Sequence, residues 1–385
     1  MKIRILSFQN AQNFGALLQA YGLQKALEGM GYNDVAFLNY NPEYLKKRYQ
    51  IFTKTNLGLK QYDPHYLLAW LANTPFYIIN RLRKRRLFNK FRSRRLCITG
   101  SEFGSADSIR GIRCDYLICG SDQIWSSWIT GGPDPVFYGA GNYSGLKNTF
   151  SYAASSEPST YDDAESVDRI KVLLSNLSHI SVREKLIQEI LERISGREIE
   201  LCVDPTLLCG IEKYDEIASR RKISKPYILV YAYSVSKNIM DIVHSIPNYE
   251  DYEIHYISFG VSGLRESINR HYHLEVSIED YLSLFKYASY IVTNSFHGLA
   301  FSLLYHKPFM VAYVKGLSTR CESLLSETGL SDRLIKDIKD AKWQQIDYEP
   351  VDVRISEMRQ SSRAFLSKCL SSDGGINTET EISIE

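Results

Sequence analysis

The sequence predicts an α/β protein made of two parallel-sheet domains that face each other across a cleft. Three observations predict it. β-rich runs alternate with helical periodicities along most of the chain, which is the pattern of a parallel α/β sheet. The runs are nearly continuous in apolar residues, as strands covered on both faces must be. Several of them end in short polar segments, which a parallel sheet delivers at the carboxyl edge of its strands. At 385 residues the chain accommodates two domains of ~150–200 residues, each able to bury its own core.

Ile3–Phe8 is β-rich, the polar run Gln9-Asn10-Ala11-Gln12-Asn13 follows, and Gly15–Met30 carries Leu17, Ala20, Tyr21, Leu23 and Leu27 at helical spacing. Gly29 and Gly31 stop that helix, and Val35–Leu38 supplies the second strand of a βαβ start. Cys114–Cys119 is a short apolar strand that ends in Gly120-Ser121-Asp122. In the second half, Ile180–Val182, Ile199–Val203, Tyr227–Tyr233, Tyr252–Ser258, Tyr290–Thr293 and Phe309–Val314 read as strands. Glu184–Ile194, Lys237–His244, Ile278–Tyr287 and Gly298–Tyr305 read as the helices between them. The division falls near the acidic stretch Asp162–Asp168. Residues 1–170 then form an N-terminal domain with a basic helical insertion at about 64–98, and residues 171–350 form a C-terminal domain. Val351, Ile355, Met358, Phe365, Leu366 and Cys369 trace one face of a closing helix over 351–370, and the acidic tail 371–385 reads as disordered.

Composition removes several classes. With 44% hydrophobic and 23% charged residues, wholesale disorder, collagen and coiled coil are excluded. The net charge is 46 − 44 = +2, so nothing at whole-chain level argues for a nucleic-acid binder. Seven cysteines stand singly, with no CxxC pair and no zinc spacing. Most lie inside apolar runs, which reads as buried thiols in a reduced, cytoplasmic chain without a metal site. No run reaches the ~18–20 apolar residues of a membrane span, and Met1–Leu6 reads as an immediate strand rather than the core of a signal peptide. His271 and His273 form an HxH pair that reads as a surface loop rather than a metal site, and Asp204-Pro205 reads as a turn. There is no GxxxxGK[ST] loop, GxSxG elbow, HExxH or GxGxxG after the first strand.

Six segments carry candidate chemistry. In Ala288–Ala300 a strand runs through a small polar turn into a helix, so unpaired backbone N–H groups and the positive helix end favour an anion at Ser295–Gly298. His297 stands in the first turn, placed to meet a phosphate or carboxylate or to pass a proton; the competing reading is a histidine that caps or packs. Arg183 follows the strand Ile180–Val182 and suits bidentate recognition of a carboxylate or phosphate, its alternative being a salt bridge to Glu184. Arg320 follows the strand Phe309–Val314 and can close over the anion, with Lys315 as the competitor.

In the first half, Asn13 and Gly15 open a helix where a ligand can approach the backbone, and Gln19 is one turn further on. Asp122, Gln123 and Trp125 offer a carboxylate, an amide and a ring face after a buried strand, the groups expected to bind a sugar. For Asp122 the competing reading is a helix N-cap. Finally, Arg81–Arg95 holds nine basic residues and no acid, with Leu82, Leu87, Phe88 and Phe91 between them. It suits an anionic membrane surface at ~1 kcal/mol per nearby Lys or Arg. A solvated helix face and a nucleic-acid contact are its rivals.

Taken in order, these segments resemble the polysaccharide pyruvyl transferase family. The matching pieces are Asn13-Phe14-Gly15-Ala16-Leu17-Leu18-Gln19-Ala20, Cys119-Gly120-Ser121-Asp122-Gln123-Ile124-Trp125, Ser151-Tyr152-Ala153-Ala154-Ser155, Ser181-Val182-Arg183-Glu184, Val203-Asp204-Pro205-Thr206-Leu207-Leu208, and Thr293-Asn294-Ser295-Phe296-His297-Gly298 with Lys307-Pro308-Phe309. The resemblance implies two Rossmann-like domains of the GT-B glycosyltransferase type. It also implies transfer of pyruvate from phosphoenolpyruvate, as co-substrate and without cofactor or metal, to a sugar diol of a surface polysaccharide such as a capsule or exopolysaccharide. Arg183 and His297 are then expected on the donor in the C-terminal domain, with Ser295, Gly298, Arg320 and Lys315 around it. Members carry an Arg two residues before this His, where this chain has Ser295, so one anion contact is expected to be missing or to come from Lys315 or Arg320. Asn13, Gly15, Gln19, Asp122, Gln123 and Trp125 are assigned to the acceptor, and His297 and Asp122 to catalysis. A sugar on a polyprenyl diphosphate would give Arg81–Arg95 a purpose at the inner face of the membrane. Two other readings compete: a glycosyltransferase using a nucleotide sugar, with Glu322 as its ribose acid, and a non-catalytic scaffold at the membrane surface.

Overall fold

A computed structural model describes residues 1–50, 64–233, 235–258, 271–273 and 276–371, without the side chains of 64–74, 76, 77 and 258. The expected architecture is present: two parallel sheets, each flanked by helices. The strands are β1 (Lys2–Leu6), β2 (Asp34–Tyr40), β3 (Ile98–Phe103), β4 (Arg110–Arg113), β5 (Tyr116–Cys119), β6 (Asn142–Ser144), β7 (Asn148–Ser151), β8 (Ser181–Val182), β9 (Glu200–Leu201), β10 (Tyr227–Ala232), β11 (Glu253–Ser258), β12 (Tyr290–Thr293), β13 (Phe309–Ala312) and β14 (Leu334–Ile335). The first sheet runs β3-β2-β1-β5-β7 and the second β11-β10-β12-β13-β14, with every pairing parallel. Chain direction across each sheet reverses between β1 and β5 and between β10 and β12. These are the switch points at which open α/β sheets bind ligands.

The continuous apolar runs form the sheets because both faces are covered. β5, β10 and β13 are buried at every position, and no one-sided pattern survives in such strands. Helix Phe14–Gly29 crosses the first sheet and is buried at 13 of its 16 positions, which explains why its periodicity is weaker than that of a surface helix. Its Gly22 sits where an added Cβ would overlap the Tyr214 hydroxyl and the Pro205 carbonyl, so this helix packs backbone-close onto helix Pro205–Cys209.

Beyond the boundary expected at 170, the chain still adds to the edge of the first sheet. β8 bridges the end of β7 through Phe150–His179 and Ala154–Val182, and β9 pairs with β8. Residues up to about 203 therefore extend the first sheet, and Arg183 stands at its carboxyl edge rather than in the second domain. The closing helix, Glu349–Leu370, returns to the first domain. Its Phe365 ring meets Phe150 at 6.1 Å, Asn148 Nδ2 donates to Cys369 O (2.8 Å), and Val203 N donates to Ser362 Oγ (2.9 Å). The basic insertion is a single helix, Pro64–Arg95. No helix among the described residues is long and apolar enough to cross a membrane, and all seven cysteines are free thiols. From residue 372 on, the tail lies outside the described residues.

Candidate active site

A cleft of about 580 Å³ opens between the carboxyl edges of the two sheets. From the first sheet come Phe8 to Asn13 after β1, and Asp122 and Gln123 after β5. From the second come Tyr233 after β10, Ser295 and His297 after β12, and Gly316 to Arg320 after β13. The site thus joins the switch points of both sheets.

His297 is the centre of it. The ring is 6% exposed, and its Nε2 has no hydrogen-bond partner. A buried imidazole nitrogen left unpaired is unusual, and here it belongs to a ring that lines the cleft. Burial pushes the His297 pKa down, against the opposing pull of Asp204 and Asp122, so the neutral ring predominates at pH 7 in the free protein. Ser295 caps helix Phe296–Leu304 without any side-chain bond to its N–H groups. The first N–H groups of that helix therefore remain for an anion.

Gly15 explains how His297 is seated. A Cβ at Gly15 would overlap the imidazole ring, so the start of helix Phe14–Gly29 packs on His297 rather than leaving room for a ligand. Gly15→Ala is expected to displace the ring, at the ~1–3 kcal/mol usual for an overpacked site, and to lower turnover by ~10²-fold, the effect of a small misplacement of a reacting group. Full activity in that variant would show that His297 does not act from this position.

Asp122 adopts a left-handed backbone, φ 73°, where non-glycine residues are rare and strained. Two bonds to its carbonyl hold it there, from Ile124 N (2.7 Å) and Ser155 N (3.1 Å). The strain aims a carboxylate that is 13% exposed into the cleft. Behind it lies Arg183, buried among three acids. Its Nε meets Glu184 Oε1 at 3.0 Å, its Nη1 bonds Asp204 Oδ2, and its Nη2 is 3.6 Å from Asp122 Oδ1. Its guanidinium also stacks 4.4 Å from the centre of the Phe296 ring. Burial alone would lower the Arg183 pKa, but Asp204, Glu184 and Asp122 outweigh it and raise it. Asp204 is likewise fully buried and is held below the usual carboxylate range, Arg183 and then His297 overcoming its burial.

Arg183 therefore stands behind the cleft lining, with Nε and Nη1 held by Glu184 and Asp204 and Nη2 near Asp122 but without a hydrogen bond. Arg320 does line the cleft. It is 8% exposed, forms no ion pair among the described residues, and its Nη2 lies 3.5 Å from the Tyr233 hydroxyl. Lys315, its competitor, is exposed and lies outside the cleft lining. Gly298 is buried against Thr293 and Tyr231. Glu322 pairs with Lys336 at 3.4 Å, away from the cleft.

On the other wall, Asn13 and Gln123 line the cleft as expected, and Asn13 Oδ1 also caps its helix by accepting from Ala16 N (3.2 Å). Gln19 does not reach it: its amide is fully buried and donates to Ser7 Oγ (2.9 Å) and Ala16 O (3.0 Å). Trp125 is in the core, stacked on Tyr138 at 4.9 Å with its Nε1 donating to Phe137 O. The aromatic at the cleft mouth is instead Trp128, 74% exposed, with the Arg48 guanidinium 4.6 Å from its ring. Asp204-Pro205 is more than a turn, since Asp204 both caps helix Pro205–Cys209 and pairs with Arg183.

Arg48, Arg81, Lys84 and Trp128 all line the cleft, and the sequence reading missed them as site residues. For two of them a signal existed. Lys84, Phe88 and Phe91 fall at spacings of four and three, with Arg81 one turn before. Phe88 and Phe91 are buried, so Arg81 and Lys84 lie on the inward stripe of the basic helix. Burial, and then Arg81, push the Lys84 pKa down to about 8.

Three comparisons with known proteins set this site in context. No curated protein sequence matches the chain. Among solved structures, it is similar to the S. aureus MnaA–UDP co-structure at 13% identity and a TM-score of 0.48, covering 95% of both chains. It is similar to the Neisseria meningitidis UDP-GlcNAc 2-epimerase bound to UDP-GlcNAc at 10% identity and 0.45, covering 96% of this chain and 100% of that one. It is also similar to the E. coli heptosyltransferase WaaC with ADP-2-deoxy-2-fluoro heptose at 9% and 0.37, covering 93% and 99%. The sequence model of polysaccharide pyruvyl transferases matches residues 13–315, from the cap of the first cleft helix to the loop that carries Arg320's neighbours. With Asp122 and His297 both inside that span, the chain belongs to the polysaccharide pyruvyl transferase family.

Proposed function

We propose that the cleft transfers pyruvate from phosphoenolpyruvate to a sugar diol of a surface polysaccharide or its lipid-linked precursor, closing a cyclic ketal. The observation that carries this reading is the unpaired Nε2 of buried His297, set between an open helix start and Arg320. Phosphoenolpyruvate is a trianion at most, and it needs a proton on its methylene carbon. Arg320 and the helix N-terminus supply charge-assisted donors for it, and His297 supplies the proton. Arg48, Arg81 and Lys84 add positive charge on the opposite wall.

The steps balance on these residues. Protonated His297 gives its proton to the methylene carbon, leaving an oxocarbenium-like centre at C2. The first sugar hydroxyl adds to C2 and its proton passes to Asp122. The C2–O bond to phosphate breaks, and phosphate leaves with the proton held by Asp122. The second hydroxyl then adds to C2 and its proton restores His297. One phosphoenolpyruvate and one diol give one ketal and one hydrogen phosphate.

A thermal-shift comparison of phosphoenolpyruvate with UDP- and GDP-sugars tests the donor. At ~100 Kd the ligand adds ~2.7 kcal/mol to stability. Phosphoenolpyruvate is expected to raise the melting temperature, and Arg320→Ala to weaken its binding by roughly 10-fold or more, as befits a lost charged hydrogen bond. Stabilisation by a nucleotide sugar alone would instead support a glycosyltransferase.

For the acceptor, the exposed ring of Trp128 takes the sugar-stacking role expected of Trp125. Arg85, Arg86, Lys90 and Arg94 face outward on the basic helix, which supports contact with the inner face of an anionic membrane. Assays with a lipid-linked acceptor and a soluble analogue separate the two roles. Trp128→Ala is expected to raise KM for both acceptors. Charge reversal at Arg85 and Arg86 is expected to impair only the lipid-linked one, and equal loss on both would overturn the membrane role.

A further inference from the structure

At the edge of the second sheet, His271 to His273 pair in parallel with β11. Tyr256 N donates to His271 O (2.8 Å), and His273 N donates to Tyr256 O (2.8 Å). The pair read as a surface loop is thus tied to the sheet edge by an isolated parallel bridge. Side chains alternate across a strand, so His271 and His273 share one face with Glu253 and His255. Three of the eight histidines in the sequence meet there, with ring centres 4.8 and 5.0 Å from that of His255.

We propose that Glu253, His255 and His271 hold a Zn²⁺ ion, with water completing the shell. One ligating atom from each lies within 4.8 Å of the others. Glu253 Oε2 and His255 Nε2 are 3.2 Å apart, close to the ~3.3 Å edge of a tetrahedron with Zn–N and Zn–O bonds of about 2.0–2.1 Å. Glu253 and His271 are only half-buried, so rotation of their side chains closes the remaining gap. Two imidazoles and a carboxylate are a borderline donor set that suits zinc better than the harder magnesium or calcium.

The surroundings have the form of an outer shell. His255 is 4% exposed, and its Nδ1 is 2.8 Å from His273 Nε2. A hydrogen bond there fixes the tautomer that turns Nε2 toward the ion. Lys225 Nζ, 3.2 Å from the other Glu253 oxygen, orients the carboxylate. Glu253 pairs in register with Tyr227, six residues and so ~20 Å of strand before Tyr233 at the cleft. The ion is therefore structural: it ties the 271–273 segment to the sheet edge and takes no part in pyruvyl transfer.

The test uses the full-length chain without a histidine tag, stripped by a chelator and titrated with Zn²⁺ against a chromophoric competitor. One stoichiometric site is expected, unaffected by Mg²⁺ and retained in His297→Ala. His271→Ala and Glu253→Gln are expected to abolish it, and His273→Ala to weaken it ~10–100-fold, the range for outer-shell partners. Phosphoenolpyruvate binding should be unchanged in all three. Absence of a stoichiometric site in the native chain, or a site that survives both His271→Ala and Glu253→Gln, would overturn the proposal.

Discussion

Replacing His297 with Ala is expected to lower turnover by ~10²–10⁴-fold, the usual contribution of a positioned general acid or base, without loss of fold. Nε2 makes no hydrogen bond to the protein, so its removal breaks no structural contact through that atom. The pH profile separates the chemical role from a packing role. Burial depresses the His297 pKa, so in the free enzyme the acid form is a minority at pH 7. The kcat/KM of the native protein should therefore climb as pH falls toward that depressed pKa, and decline about tenfold per pH unit above it. In His297→Ala the limb should vanish along with the rate. A variant that is slow yet keeps the same alkaline decline would assign the titration to another group and remove His297 from proton transfer.

The second large effect concerns Arg183, and it is an effect on stability. Arg183→Met leaves Asp204, Glu184 and the inner side of Asp122 without their cation in a site from which water is excluded. Breaking a buried ion pair by removing one partner costs about 3–5 kcal/mol, and three carboxylates share this one guanidinium. Urea unfolding should show that loss at pH 7. The deficit should shrink as pH falls: Asp204 is held below its ordinary pKa by Arg183, so its share of the stability is present above the unfolded value and disappears as the carboxylate is protonated. Unchanged stability combined with a large loss of phosphoenolpyruvate affinity would return Arg183 to the donor, where the family resemblance puts it.

Arg183 also shows where sequence reasoning reaches its limit. The strand before it and the helix after it were legible, because apolar runs and helical spacing are local. Its neutralisation was not, since Asp204 lies 21 residues away and meets it only after β8 and β9 extend the first sheet. The same two strands were legible as strands, but which sheet they join is set by long-range bridges that no local pattern records. β3 and β7 also went unread; β3 is largely exposed and lacks the apolar run that marks the others. In the site, His297, Ser295 and Asp122 were legible because each closes a strand and opens a turn, a pattern written in consecutive residues. Trp125 and Trp128 could not be told apart that way. Both follow the same strand, and only the packing of Tyr138 and Phe137 decides that the first goes inward. Lys84 and Arg81 were masked by their own neighbours, since a run of nine basic residues reads as one surface until the helix rotates two of them into the cleft.

The most direct measurement is a crystal structure of the chain soaked with phosphoenolpyruvate. The account predicts its phosphate at the start of helix Phe296–Leu304, its carboxylate within hydrogen-bond distance of Arg320, and its methylene carbon facing His297 Nε2. Phosphoenolpyruvate bound away from His297, or a cleft that takes a nucleotide sugar and leaves phosphoenolpyruvate in solution, would contradict it.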